Sequence, residues 1–115
     1  MQKRRVVVTG LGMVSPIGNS INEVWDNLLH GVSGIGVVSR FDASTMTTRI
    51  AAEVKNFVVA DWMPPEEIRR SDKFIHYGLA AAKMALADAD LVIDASNAER
   101  VGVNMGSGTG GLQMI

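Results

Sequence analysis

The sequence contains no cysteine. That excludes disulfides, thiolate metal sites and a cysteine nucleophile within its 115 residues. It also lacks any run near the ~20 continuous apolar residues that a membrane-spanning helix needs. Excess charge is missing too: 11 Lys and Arg stand against 12 Asp and Glu, and the net charge is −1. With the signs interspersed, no electrostatic footprint points to nucleic acid or to an anionic membrane surface. There are no repeats, low-complexity tracts or linkers, so the chain reads as one unit. Lys3-Arg4-Arg5 ahead of Val6-Val7-Val8 has the charge order of a signal peptide. Thr9, Gly10 and Gly12 break the apolar run, however, and no small-residue cleavage site follows. The expectation is a soluble, cytoplasmic protein.

What is present is ample core material, with 47% hydrophobic residues. Arg5 to Val14 opens with β-branched residues too continuously apolar to face water on one side, which predicts a strand covered on both faces. Ser15 to Asn19 is a turn by composition, and Ser20 with Glu23 forms a capping-box pattern. The helix it opens runs to about His30, with Ile21, Val24, Trp25, Leu28 and Leu29 on one face and Gly31 as its left-handed stop. Val32 to Thr48 reads as an extended excursion with little regular structure, for which Phe41 and Asp42 are candidate anchors. A short strand is expected within Ile50 to Phe57.

Pro64-Pro65 with Glu66 and Glu67 predicts a short helix over Pro65 to Arg70. Ser71 to Ala89 is the clearest helix, buried along a stripe of Ile75, Leu79, Ala82 and Leu86 widened by Ala81, Ala85 and Met84. Its alanines let it lie close against a sheet or another helix. Val101 to Met105 is expected to be a second buried strand, ending in the glycine-dense loop Gly106, Gly108, Gly110 and Gly111. Strand, helix, excursion, helix and strand make a βαβ crossover with an insertion. That order predicts a parallel pair in an α/β architecture.

The loop formally fits G-x-G-x-x-G, but a dinucleotide fingerprint needs an acidic residue ~20 positions on, and none lies within the sequence. Gly10-x-Gly12 lacks the third glycine, and no Gly-Lys-Ser/Thr follows either loop, which excludes a P-loop. His30 at a helix end and His76 beside the apolar stripe are the groups of catalytic temperament. Neither carries an Asp or Glu at a spacing that orients it as a base or metal ligand. Arg69, Arg70, Asp72 and Lys73 read as solvated helix-end charges or ion pairs, and Trp25 and Trp62 as packing anchors. From the residues alone, the reading is an α/β segment with a ligand-facing glycine loop and no catalytic machinery.

RRVVVTGLGMVSPIGN at 4–19, Phe41-Asp42 with IAAEVKNF, RRSDKFIHYGLAAAKMALADADL at 69–91 and RVGVNMGSGTGGL at 100–112 occur in that order. Together they resemble the β-ketoacyl-[acyl carrier protein] synthases of type II fatty-acid elongation, in the thiolase-like superfamily. The resemblance covers the whole chain. It implies the N-terminal portion of a three-layer αβα thiolase-like fold, and residues 1–115 as an incomplete part of one ketoacyl synthase domain. It also implies an acyltransferase that performs decarboxylative Claisen condensation between malonyl-acyl carrier protein and an acyl chain held on an enzyme cysteine. The implied enzyme is a homodimer with acyl carrier protein as partner and no organic cofactor or metal. No catalytic residue of the family maps onto these residues, so the segment alone is expected to be inactive. The residue between the two glycine pairs lines the far end of the family's acyl pocket, which assigns Gly108 and Thr109 to that pocket. Two alternatives remain: a catalytically inactive partner of chain-length-factor type and, more remotely, a dinucleotide-binding domain.

Overall fold

The structure is a computed structural model that describes residues 3–111. The chain divides into two compact units, Met1–Gly12 with Val59–Ile115, and Met13–Val58.

The second of these units begins with an antiparallel bridge between Ser15 and Gly18, closing the predicted turn. Helix α1, Ile21–Leu29, follows as its cap predicts. Ser20 Oγ accepts from the Glu23 amide, while the Glu23 carboxylate accepts from the Asn19 amide at 2.7 Å, one residue upstream of a standard capping box. At the other end Gly31 takes φ +64°. The amides of Gly31 and Val32 return to the Leu28 and Asn27 carbonyls, a Schellman stop. Asn27 Nδ2 donates to the Ile17 carbonyl, pinning the helix to the turn.

The excursion is more ordered than its composition suggests. Strands β1, Ile35–Val37, and β2, Ile50–Ala52, pair antiparallel with Gly36 opposite Ala51. Strands this short carry no readable alternation. The expected strand within Ile50 to Phe57 is thus confined to its first three residues. Asp42 is an anchor, since Oδ1 accepts from the Ser44 amide at 2.9 Å. Phe41 is exposed, and the residue that packs is Ala43. Trp25 is 62% exposed and so is not the packing anchor expected.

Glu53 holds the excursion across to Ser39, accepting from its hydroxyl at 2.6 Å and from its amide at 3.3 Å. The Ser39 hydroxyl, aided by the nearby Arg40, holds the Glu53 carboxyl below its ordinary 4.5. Because the folded carboxyl releases its proton more readily than the unfolded one, this link stabilises above about pH 4.5 and is lost as pH falls through the lower folded value. Ser39→Ala is expected to move Glu53 back toward 4.5 in a carboxylate NMR titration. An unmoved midpoint would assign the shift to another group.

In the other unit the 3-10 turn Val59–Asp61 leads to α2, Pro65–Arg70, which matches its prediction. Helix α3, Lys73–Asp88, begins on Asp72, whose side chain accepts from the Lys73 amide. It ends in a second Schellman arrangement, with Asp90 at φ +48° and Leu91 N–H donating to the Leu86 carbonyl. Gly10 and Gly12 lie on its alanine face. A Cβ on Gly10 would overlap the Ala85 carbonyl oxygen, and one on Gly12 the Ala81 carbonyl oxygen. Small residues at helical spacing on α3 therefore meet a glycine on every second residue of an extended segment, and the main chains approach to a distance no side chain allows. Leu11 N–H adds a hydrogen bond to Asp88 at 2.8 Å.

Two expectations fail here. Arg5 to Val14 and Val101 to Met105 carry no strand ladder, and among the described residues the sheet is the antiparallel β1–β2 pair rather than a parallel one. A strand needs a neighbour for its amides and carbonyls, and these runs have none within the described residues. Val6, Val8 and Val103 accordingly remain 92%, 78% and 86% exposed. Nor is α3 buried along its predicted stripe. Ala80 is its one fully buried residue, while Ile75 and Leu86 stay partly open.

Candidate functional site

That open stripe is one wall of a groove of about 660 Å³. Ile75, Leu79, Ala82 and Leu86 project from one face of α3 because they recur at its 3.6-residue period, with Phe74 at the end of the row. Val103 and Met105 form the opposite wall, and Gly106 and Ser107 close it at the start of the glycine loop. Gly78 lets the walls meet, its missing side chain leaving the Met105 sulfur and methyl at 3.8 Å from where a Cβ would stand. Lys83 is the one charged residue lining the groove, and its ammonium donates to the Trp62 carbonyl. The groove can receive an apolar surface, but it contains no acid–base pair.

Gly108 and Thr109 sit beyond the end of this groove, in an exposed bend. The bend is closed by the Gly110 amide, which donates to Ser107 Oγ at 3.1 Å, and by Gly110 itself at φ +66°. Nothing lies within 4 Å of a Cβ built on Gly108. Leu112, which completes the loop motif, lies outside the described residues.

The histidines are separate from the groove. His30 Nδ1 contacts the Asp26 carbonyl at 2.8 Å and the Asp26 carboxylate at 3.5 Å. A carboxylate one helical turn away does therefore face it, contrary to expectation, but both side chains are largely exposed and the contact is a solvated helix-end pair. His76 Nε2 lies 3.1 Å from Ser71 Oγ, which itself donates to the Glu67 carbonyl at 2.6 Å. The serine hydroxyl is engaged with backbone at the shorter distance, and neither residue lines the groove. Asp72, assigned above to solvated charge, is instead a half-buried helix cap. The signal for it was available, as an Asp directly ahead of an apolar-periodic run is an N-cap pattern.

The family described as Beta-ketoacyl synthase, N-terminal domain, matches residues 3–114. The chain belongs to that family. It is 50% identical over all 115 residues to the 3-oxoacyl-[acyl-carrier-protein] synthase 2 of Vibrio harveyi, and 44% identical to that of Synechocystis sp.. In each case it spans 28% of the relative's length. Among solved structures, the ishigamide ketosynthase/chain length factor aligns with a TM-score of 0.69 and 35% identity, over 79% of this chain and 23% of that one. The ketosynthase-like α/β fold is thereby shown, even though the two outer apolar runs lack ladder partners among the described residues. No helix of the described residues is long and apolar enough to cross a membrane.

Proposed function

We propose that this ketoacyl synthase segment belongs to an acyltransferase that elongates fatty acyl chains. In the proposed reaction a malonyl thioester on acyl carrier protein loses carbon dioxide. The resulting carbanion attacks the carbonyl of an acyl thioester on the enzyme, and the enzyme thiolate leaves as the new carbon–carbon bond forms. The thiolate comes from outside residues 1–115, which contain no cysteine. The observation that carries this reading is identity of 44–50% over all 115 residues to proteins named 3-oxoacyl-[acyl-carrier-protein] synthase 2. Acyl carrier protein as partner, a homodimeric assembly and a cytoplasmic location belong to the same reading. So do the exposed valines of the outer runs, because apolar surface of that extent requires cover.

Within the segment, Gly108 and Thr109 form the end of the acyl pocket. Thr109 is exposed, so a larger side chain there is not confined by the described residues of the segment. In the full-length protein, Thr109→Phe is expected to lower kcat/KM for long acyl primers by about 10-fold or more and to spare short ones, since lost space costs only the chains that reach it. An unchanged profile across primer lengths removes Thr109 from the pocket.

A second reading has one observation in its favour: one solved neighbour is named a ketosynthase/chain length factor. Under it the segment belongs to a partner subunit without a nucleophile. The residue that aligns with the relatives' nucleophilic cysteine decides between the two.

A further inference from the structure

Asp72 sits where α2 hands over to α3, and its two carboxylate oxygens face different things. Oδ1 accepts from the Lys73 amide at 2.6 Å and caps α3. Oδ2 faces Gly111, the last described residue of the glycine loop, and a Cβ on Gly111 would overlap that oxygen and lie 3.1 Å from both Cβ and Cγ of Asp72. Gly106, Gly108 and Gly110 have nothing within 4 Å at the same position, and residues 106–110 are exposed while Gly111 is half-buried. The loop is therefore a closed turn held from outside at its two ends. At its start Met105 rests on Gly78, and at its exit Gly111 rests on Asp72.

We infer that Asp72 is a positioning residue that sets the height of the glycine loop over α3 and, through it, the place where Thr109 ends the acyl pocket. The second half of this inference rests on the pocket reading proposed above. A cap alone would be served as well by serine, which is as good an N-cap as aspartate but lacks the second carboxylate oxygen that meets Gly111 most closely. Aspartate has the further reach, and glycine is the residue that fits against it.

The test is a double-mutant cycle in the full-length protein, read as the ratio of kcat/KM for long over short acyl primers and, separately, as the thermal midpoint. Asp72→Ser keeps the cap and removes the support, so the primer ratio is expected to move about 3-fold or more with little change in midpoint, a small energetic shift at ~1.4 kcal/mol per decade. Gly111→Ala drives the loop off Asp72 and is expected to move the ratio about 10-fold and to lower the midpoint, while Gly36→Ala, in open space on β1, does neither. Combining Gly111→Ala with Asp72→Ser removes the overlapping Oδ2 and the Cγ contact, leaves only the 3.1 Å approach to Cβ, and is expected to recover part of both losses. Additive effects in both readouts overturn the inference, because groups that do not touch do not compensate. If Thr109→Phe proves silent on primer length but the pair still compensates in the midpoint, the positioning stands and the pocket reading falls.

Discussion

Gly12→Ala is expected to cost about 3 kcal/mol or more of stability, at or beyond the upper end of what overpacking usually costs and a large share of a typical native stability. The added methyl would overlap the Ala81 carbonyl oxygen of α3, with Ala81 C and Ala85 N both at 2.8 Å. A clash with a flexible side chain is relieved by rotation. This one is with helix backbone, and α3 can retreat only by giving up its approach along the whole Gly10–Gly12 segment. Gly10→Ala meets the Ala85 carbonyl in the same way and is expected to behave alike. Gly36→Ala on β1 is the internal control, as nothing lies within 4 Å of its added carbon. Denaturant unfolding of the full-length variants checks the ordering. A Gly12→Ala protein as stable as the control would mean that the extended segment does not pack on α3.

These two glycines also show where sequence reasoning stops. The alanine content of α3 announced a close neighbour, and the Gly-x-Gly pair was visible, but it read as the end of a strand. Joining the pair to Ala81, Ala85 and Ala89 requires knowing that the segment crosses that face of the helix, which is tertiary information. The caps were legible because they are local: Ser20 with Glu23, Gly31, and Pro65 with Glu66 and Glu67 each act within one turn. Strand pairing is not local. The apolar runs at Val6 and Val103 predict strands paired with each other, yet among the described residues the ladder joins Ile35–Val37 to Ile50–Ala52. For the candidate site, the family motif points at Gly108 and Thr109, while Gly106 and Ser107 of the same loop line the groove. The stripe of Ile75, Leu79, Ala82 and Leu86 was found by its period, which reports a shared face and says nothing of whether that face is covered.

Residues 1–115 alone, purified and shown to be helical by circular dichroism, are expected to give no condensation of an acyl primer with malonyl-acyl carrier protein above the enzyme-free background. The proposed chemistry needs a thiolate to carry the acyl group, and the segment has none. The nearest substitute is the Ser71–His76 pair, 3.1 Å apart, which has the outline of a nucleophile and its base. Its hydrogen bonding runs the wrong way. Ser71 Oγ donates to the Glu67 carbonyl at 2.6 Å, closer than its 3.1 Å approach to the imidazole, so its proton is engaged away from the ring. Neither residue lines the groove. Loss of a nucleophile from an otherwise complete enzyme costs about 10⁶-fold in rate in the best-measured case, and this segment lacks the remaining machinery as well. Turnover above background that disappears in Ser71→Ala would place the acyl group on that hydroxyl. Turnover that survives the substitution would require a carrier of the acyl group elsewhere in the segment, and either result would overturn an external thiolate as the nucleophile.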